Sequence, residues 1–193
     1  NARLSAAVPH PRPAGAGGEL VRNFKDRQRP LGVELIEVDA ADDVPAAIAA
    51  YLRRLALPAR LRCGADPLWG ALPWERAPSL VVDRGPAQDG DTTGLSRAVA
   101  GVAETGTLAL ASGPDNPVTL GFLPDTHIVV LRAASVVAHY EDAYALVKAE
   151  TGGAVPRTLN LVTGASRTGD IGGKIVMGAH GPRRLAVVLI VSG

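Results

Sequence analysis

Two stretches concentrate the side chains that can do chemistry. The denser runs from Thr163 to Arg183, TGASRTGDIGGKIVMGAHGPR. Gly164, Ser166, Arg167 and Thr168 give it a pliable backbone, two hydroxyls and a guanidinium. Free backbone N–H groups in such a loop form an anion nest, and Arg167 can fork onto a carboxylate or a phosphate. The same residues also fit a plain turn, with Ser166 and Thr168 bonding their own backbone and Arg167 paired to Asp170. No Gly-Lys-Ser/Thr follows the glycines, so this is not a Walker A loop. His180, in His180-Gly181-Pro182-Arg183, can serve as acid, base or anion ligand, or can simply bond a nearby carbonyl. In Glu104-Thr105-Gly106-Thr107, Glu104 is a candidate nucleophile or general base. It can equally pair with Arg167 or Arg97 and only hold loops together. The site expected from these stretches has Glu104 and His180 as catalytic groups. Its anion contacts come from Thr105, Gly106, Thr107, Gly164, Ser166, Arg167, Thr168, Asp170, Gly181 and Arg183.

The remaining candidates read as structural. His127 opens a strand and is expected as a satisfied edge residue, while His139 and Tyr140 precede a helix and are expected to pack. Trp69 and Trp74 read as anchors of a loop. Cys63, in an apolar strand, reads as an inert core thiol. Asp83, Asp89, Asp91, Asp115 and Asp125 are scattered turn acids. No His, Asp or Glu stands at a metal spacing such as H-E-x-x-H, so no metal is expected.

The elements that must position these groups alternate strand and helix. Strands are expected at 33–38 (VELIEV), 61–63, 79–82, 107–111, 127–132, 158–163 and 185–191 (LAVVLIV). The last is apolar throughout, as a strand covered on both faces should be. Asp43 with Pro45 starts a helix whose apolar face is Val44, Ala47, Ile48, Tyr51, Leu52 and Leu55, and Pro58 stops it. A second helix spans Glu141 to Glu150, and Ser96 caps a short one through Val102. Residues 85–93 are an acidic, turn-rich connection. This order predicts a three-layer α/β domain with a mainly parallel sheet over residues 32–193. Residues 1–31, rich in Pro and Gly, read as an extended or mobile arm that Val21 to Phe24 can anchor. In an open α/β sheet ligands collect beyond the carboxyl ends of strands, which is where the 163–168 loop is expected to lie.

The Val102–Thr107, Leu123–Val130 and Thr163–Arg183 segments together resemble the LUD (lactate-utilisation) domain family, formerly a domain of unknown function. The first looks like its A-E-T-G-T block, the second like its L-P-x-x-H-I-x-V-V strand and the third like its S-G-P-S-R-T-A-D-I-E … G-x-H-G-P-R block. The resemblance covers roughly residues 33–193 and is thinnest before residue 79. Ala165, Gly169 and Gly172 depart from the pattern, and Gly172 removes a candidate carboxylate. The resemblance implies a fold like ribose-5-phosphate isomerase, glucosamine-6-phosphate deaminase and the coenzyme A transferases. It also implies a part in oxidising L-lactate to pyruvate beside partner subunits that carry iron–sulfur clusters.

Composition narrows the classes. Lys plus Arg is 20 and Asp plus Glu 19 over 193 residues, a net charge of +1 that offers no global field for nucleic acid or anionic membrane. One cysteine cannot form a disulfide framework or hold an iron–sulfur cluster of its own, which needs about four thiolates. No G-x-G-x-x-G follows a strand, so nothing supports a flavin or nicotinamide. The chain opens without a signal-like segment and holds no run of roughly 20 apolar residues, which sets the expectation of a cytoplasmic protein. Three roles are open. The first is a subunit of a lactate-oxidising assembly that binds a small anion and an iron–sulfur partner. The second is a free-standing enzyme on a sugar phosphate or acyl-coenzyme A. The third is a regulatory or scaffold module.

Overall fold

The computed structural model describes residues 17–171 and 174–192, with side chains at 169–175 outside that description. Its centre is a six-stranded, all-parallel sheet formed by β1 (Glu34–Val38), β2 (Arg60–Cys63), β3 (Val81–Arg84), β4 (Thr93–Arg97), β7 (Thr126–Arg132) and β12 (Arg184–Ile190). The order across it is β1-β12-β7-β4-β2-β3. β12 shows why the sheet is covered on both sides. Ala186, Val188 and Ile190 join one core with Val44, Ile48, Leu52 and Trp69, whereas Leu185, Val187 and Leu189 join another with Phe24, Leu108 and Leu110. The period of two sends alternate residues to opposite faces, and both faces are apolar.

On the first face lies α2 (Val44–Arg54), with the short α3 (Pro67–Ala71) beside it. Pro45 sits in the first turn of α2 as expected. The Asp43 carboxylate accepts from Ala40 N (3.3 Å) and so caps the preceding 3₁₀ turn, leaving α2 without a side-chain cap. The second face carries a small mixed sheet in the order β8-β5-β6-β9, built from β5 (Ala100–Val102), β6 (Thr107–Ala111), β8 (Val136–Val137) and β9 (Leu159–Val162). Outside it packs α4 (Tyr140–Glu150) through Ala143. Three layers with a mainly parallel sheet are therefore present, and the third layer is sheet as well as helix. A hairpin of β10 (Arg167–Ile171) and β11 (Lys174–Met177) precedes β12.

Two expectations change. The Ser96–Val102 segment is no helix: it is the end of β4 and all of β5. Its small residues let two sheets meet, since a Cβ on Gly101 would lie 2.8 Å from Leu131 Cδ2 and 3.1 Å from Phe24 Cε2. Close approach, and not alanine's helix propensity, is what LSRAVAG serves. Residues 17–28 of the expected arm form α1 (Gly17–Gln28), and Phe24 on it is fully buried between the sheets. Residues 1–16 lie outside the described residues.

Candidate functional site

The two ends of the parallel sheet carry different chemistry. Gly32 lies just before β1, Asp125 just before β7 and Pro182–Arg183 just before β12, so these residues mark the amino edge. The 163–168 loop belongs there. Arg167 Nη2 donates to Leu31 O (2.5 Å), Ser166 N to Pro182 O (2.9 Å) and Gly178 N to Ser166 O (2.9 Å). The expectation that this loop lies beyond the carboxyl ends of the sheet fails, because β9, which leads into it, is a strand of the small mixed sheet running antiparallel to β6.

The Glu104–Thr107 turn reaches the same edge. β5 runs back from the end of β4, so its own end at Val102 returns toward α1. Gln28 Nε2 donates to Gly106 O, and Gly106 needs its left-handed φ of 73° in a place where a Cβ would meet Arg27 Cβ at 2.9 Å. Gly164 (φ 92°) packs on Leu31. The end of α1 thus lies between the two stretches. A direct link closes the gap: Thr107 Oγ1 stands 2.7 Å from Thr163 Oγ1. The same buried oxygen is 2.7 Å from Thr105 Oγ1 and 2.8 Å from Tyr140 OH.

The remaining expected residues fall unevenly. Glu104 bonds His139 Nδ1 through Oε2 (2.8 Å); among the described residues it pairs with neither Arg167 nor Arg97. His180 is exposed on the turn between β11 and β12, and Gly181 lies against Ser166, where an added Cβ would come 3.4 Å from Ser166 Cβ. Arg183 crosses Gly178 and approaches Asp125 at 3.7 Å, both side chains well exposed. Thr168 is half-buried, and the Asp170 side chain is outside the described residues. His139, Tyr140 and Thr163 were absent from the expected site, because nothing in their spacing announces partners 33 to 56 residues away.

The carboxyl edge holds a separate hollow of about 240 Å³, at the point where the chain order reverses between β2 and β4. A sheet of this kind usually takes its ligands at such a switch point. Arg97, at the end of β4, donates through Nε to the buried Asp66 (2.6 Å) and in two-pronged fashion to Glu150. Burial alone would lower the Arg97 pKa; the bonds to Glu150 and Asp66 outweigh it and hold the guanidinium above its usual value. Asp66 also accepts from Leu68 N, so it occupies the start of α3 itself. With Asp115 also in the lining, acids outnumber the single arginine. A second hollow, about 320 Å³ beside β2 and the 88–93 loop, has Arg62 on Asp91 and Arg60 on Asp83.

His127 is fully buried, with Nε2 2.9 Å from Ser96 Oγ. Burial pushes its pKa down to about 4, so it is a neutral structural pair with Ser96. Burial also raises the Cys63 thiol, as expected for an inert core residue. Trp74 Nε1 bonds Trp69 O (2.7 Å), which makes Trp74 a loop anchor. Among the described residues no group of three potential ligands could hold a metal ion, and no helix is long and apolar enough to cross a membrane.

Three kinds of comparison with known proteins agree. Residues 90–190 match the LUD domain. A Deinococcus radiodurans protein named Lactate utilization protein C is 34% identical over 97% of this chain and 88% of its own length. The Lactate utilization protein C of Geobacillus thermodenitrificans is 36% identical over 46% of this chain, and that match spans only 38% of the relative. Among solved structures, a DUF162 family protein from Deinococcus radiodurans superposes with a TM-score of 0.69 at 26% identity, covering 92% of this chain and 99% of that one.

Proposed function

The chain belongs to the LUD domain family, and from that premise we propose that it serves lactate utilization as a subunit that binds a small carboxylate at the amino edge. The near-full-length relative named for lactate utilization carries the proposal. The amino-edge geometry supports a ligand role: the 104–107 turn and the 163–168 loop are tied through Thr107 and Thr163, with Arg167 exposed beside Gly32. The exposed Arg167 side chain holds the anion. Glu104 handles the ligand's proton, and His180 borders the anion from the facing turn. In the cytoplasm a docked partner subunit bearing iron–sulfur clusters accepts the two electrons released as L-lactate becomes pyruvate, and the two protons pass to solvent.

Deletion of the gene should abolish growth on L-lactate while sparing growth on glucose, and Arg167→Ala should fail to restore it. Tagged protein should co-purify with a cluster-bearing partner. Unchanged growth of the deletion strain on L-lactate overturns the proposal.

A free-standing enzyme is the second reading, favoured by the hollow at the switch point. The surplus of Asp66, Asp115 and Glu150 over Arg97 there disfavours a phosphate ester or a coenzyme A thioester, whose charges would meet carboxylates.

A further inference from the structure

The small mixed sheet ends in a strand whose outer edge carries unused backbone groups. β9 closes the order β8-β5-β6-β9, with β6 as its neighbour within the sheet. The register shows which of its groups are taken. Ala109 O accepts from Val99 N on the β5 side, and Ser112 N donates to Thr158 O on the β9 side. In an antiparallel ladder, hydrogen-bonded pairs alternate with non-bonded ones. Leu110–Asn160 and Leu108–Val162 are therefore the bonded pairs, and Ala109–Leu161 and Ala111–Leu159 the non-bonded ones. The N–H and C=O groups of Leu159 and Leu161 thus point away from β6, and among the described residues they meet no partner.

Proteins protect such an edge with charge, proline, a bulge or a covering element. Residues 158–163, TLNLVT, hold neither a charged residue nor a proline. The pairing with β6 runs without a bulge. On one face Leu159 packs against the cluster under α4, but Leu161, two residues on, is 41% exposed. On the other face Phe122, which shares a small hollow with Asn160 and Val162, is 49% exposed. Apolar side chains therefore flank the open edge on both faces.

We propose that this edge docks a second copy of the chain, which adds its own β9 in antiparallel sense and joins two four-stranded sheets into one of eight. The segment is its own complement. Leu159-Asn160-Leu161 reads the same in both directions, so a two-fold axis at Asn160 sets Leu159 against the partner subunit's Leu161, and Leu161 against the partner subunit's Leu159. Each of these pairs exchanges two hydrogen bonds through the outward groups. The leucines then lie on one face and cover each other, while Asn160 meets the partner subunit's Asn160 on the face of Phe122. The charges match as well: a neutral strand meets a neutral strand, with no like charge to repel and no lone charge to desolvate.

Sedimentation of the full chain should show a monomer–dimer equilibrium at about 1–100 µM, the strength that a small edge contact supplies. Leu161→Pro should be monomeric throughout, because it deletes an N–H that β6 does not use, at a position where an edge strand tolerates proline. Leu161→Lys should also be monomeric. It keeps every backbone group, so the result does not hang on how Leu161→Pro folds. Asn160→Cys should form a disulfide-linked dimer on mild oxidation, since directly opposed non-bonded partners stand about 4.5 Å apart at Cα and the native Cys63 is buried. Leu161→Cys, two residues out of register with its own copy, should link far less. A wild-type chain that stays monomeric to the top of that concentration range overturns the proposal. A dimer that survives in both Leu161→Pro and Leu161→Lys overturns it too, as does linking of Leu161→Cys that equals that of Asn160→Cys.

Discussion

His127 sets the acid limit of the fold. Its ring is buried between the two sheets against Ser96, and its pKa of about 4 lies below the usual 6.5. Between those values the unfolded chain binds a proton that the folded chain refuses, so stability rises with pH there. The contribution is complete above about pH 6.5 and is lost as pH falls toward 4. From pH 7.5 to 5 the loss is on the order of 2 kcal/mol. Asp91 has the same sign. Burial would raise its pKa, but the bonds from Arg62 and Gln88 N lower it, so its contribution is lost only below the ordinary carboxylate range. Urea unfolding at pH 7.5 and pH 5 should show the His127 loss, and His127→Gln should flatten it; an unchanged slope in that variant refutes the assignment. At this scale the sequence was half legible. Glu104, Arg167 and Thr107 were visible because loops carry their polar residues openly. His139 was not, because its neighbours suggested only a helix start, and its partner lies 35 residues away.

Among the elements, α1 and β5 pack closely between the sheets. Phe24 is fully buried, and Gly101 leaves just enough room for it and Leu131. Phe24→Ala should cost about 3–5 kcal/mol by leaving a cavity. Gly101→Val should cost about 1–3 kcal/mol or more by forcing the sheets apart. Both follow from urea midpoints at constant m value, and a loss below about 1 kcal/mol in Phe24→Ala would mean that α1 is not part of the core. The strands at 127–132 and 185–191 and the helix from Val44 could be read directly, because their apolar patterns have one physical meaning. β5 could not. A run of small residues suits a helix and a sheet-to-sheet contact equally well, and only the facing layer decides. α1 was hidden for a related reason: glycines open it and charges interrupt the few apolar residues, Leu20, Val21 and Phe24, that dock it.

For the molecule as a whole, the two edges of one sheet differ in character. The amino edge gathers Arg167, Arg183 and His180 together with the acids Glu104 and Asp125, while at the carboxyl edge the Asp66–Arg97–Glu150 link lines a hollow with surplus acid. General experience with parallel sheets would place a ligand at the carboxyl edge; the proposed function puts a small carboxylate at the other, on Arg167. The strand order that creates this division involves β1 and β12, which are about 150 residues apart and adjacent in space. No local pattern announces such a pairing. A crystal structure of the protein soaked with L-lactate tests the central claim most directly. The account predicts the lactate carboxylate on Arg167 at the amino edge. Lactate seated instead beside Arg97 in the carboxyl-edge hollow would contradict it.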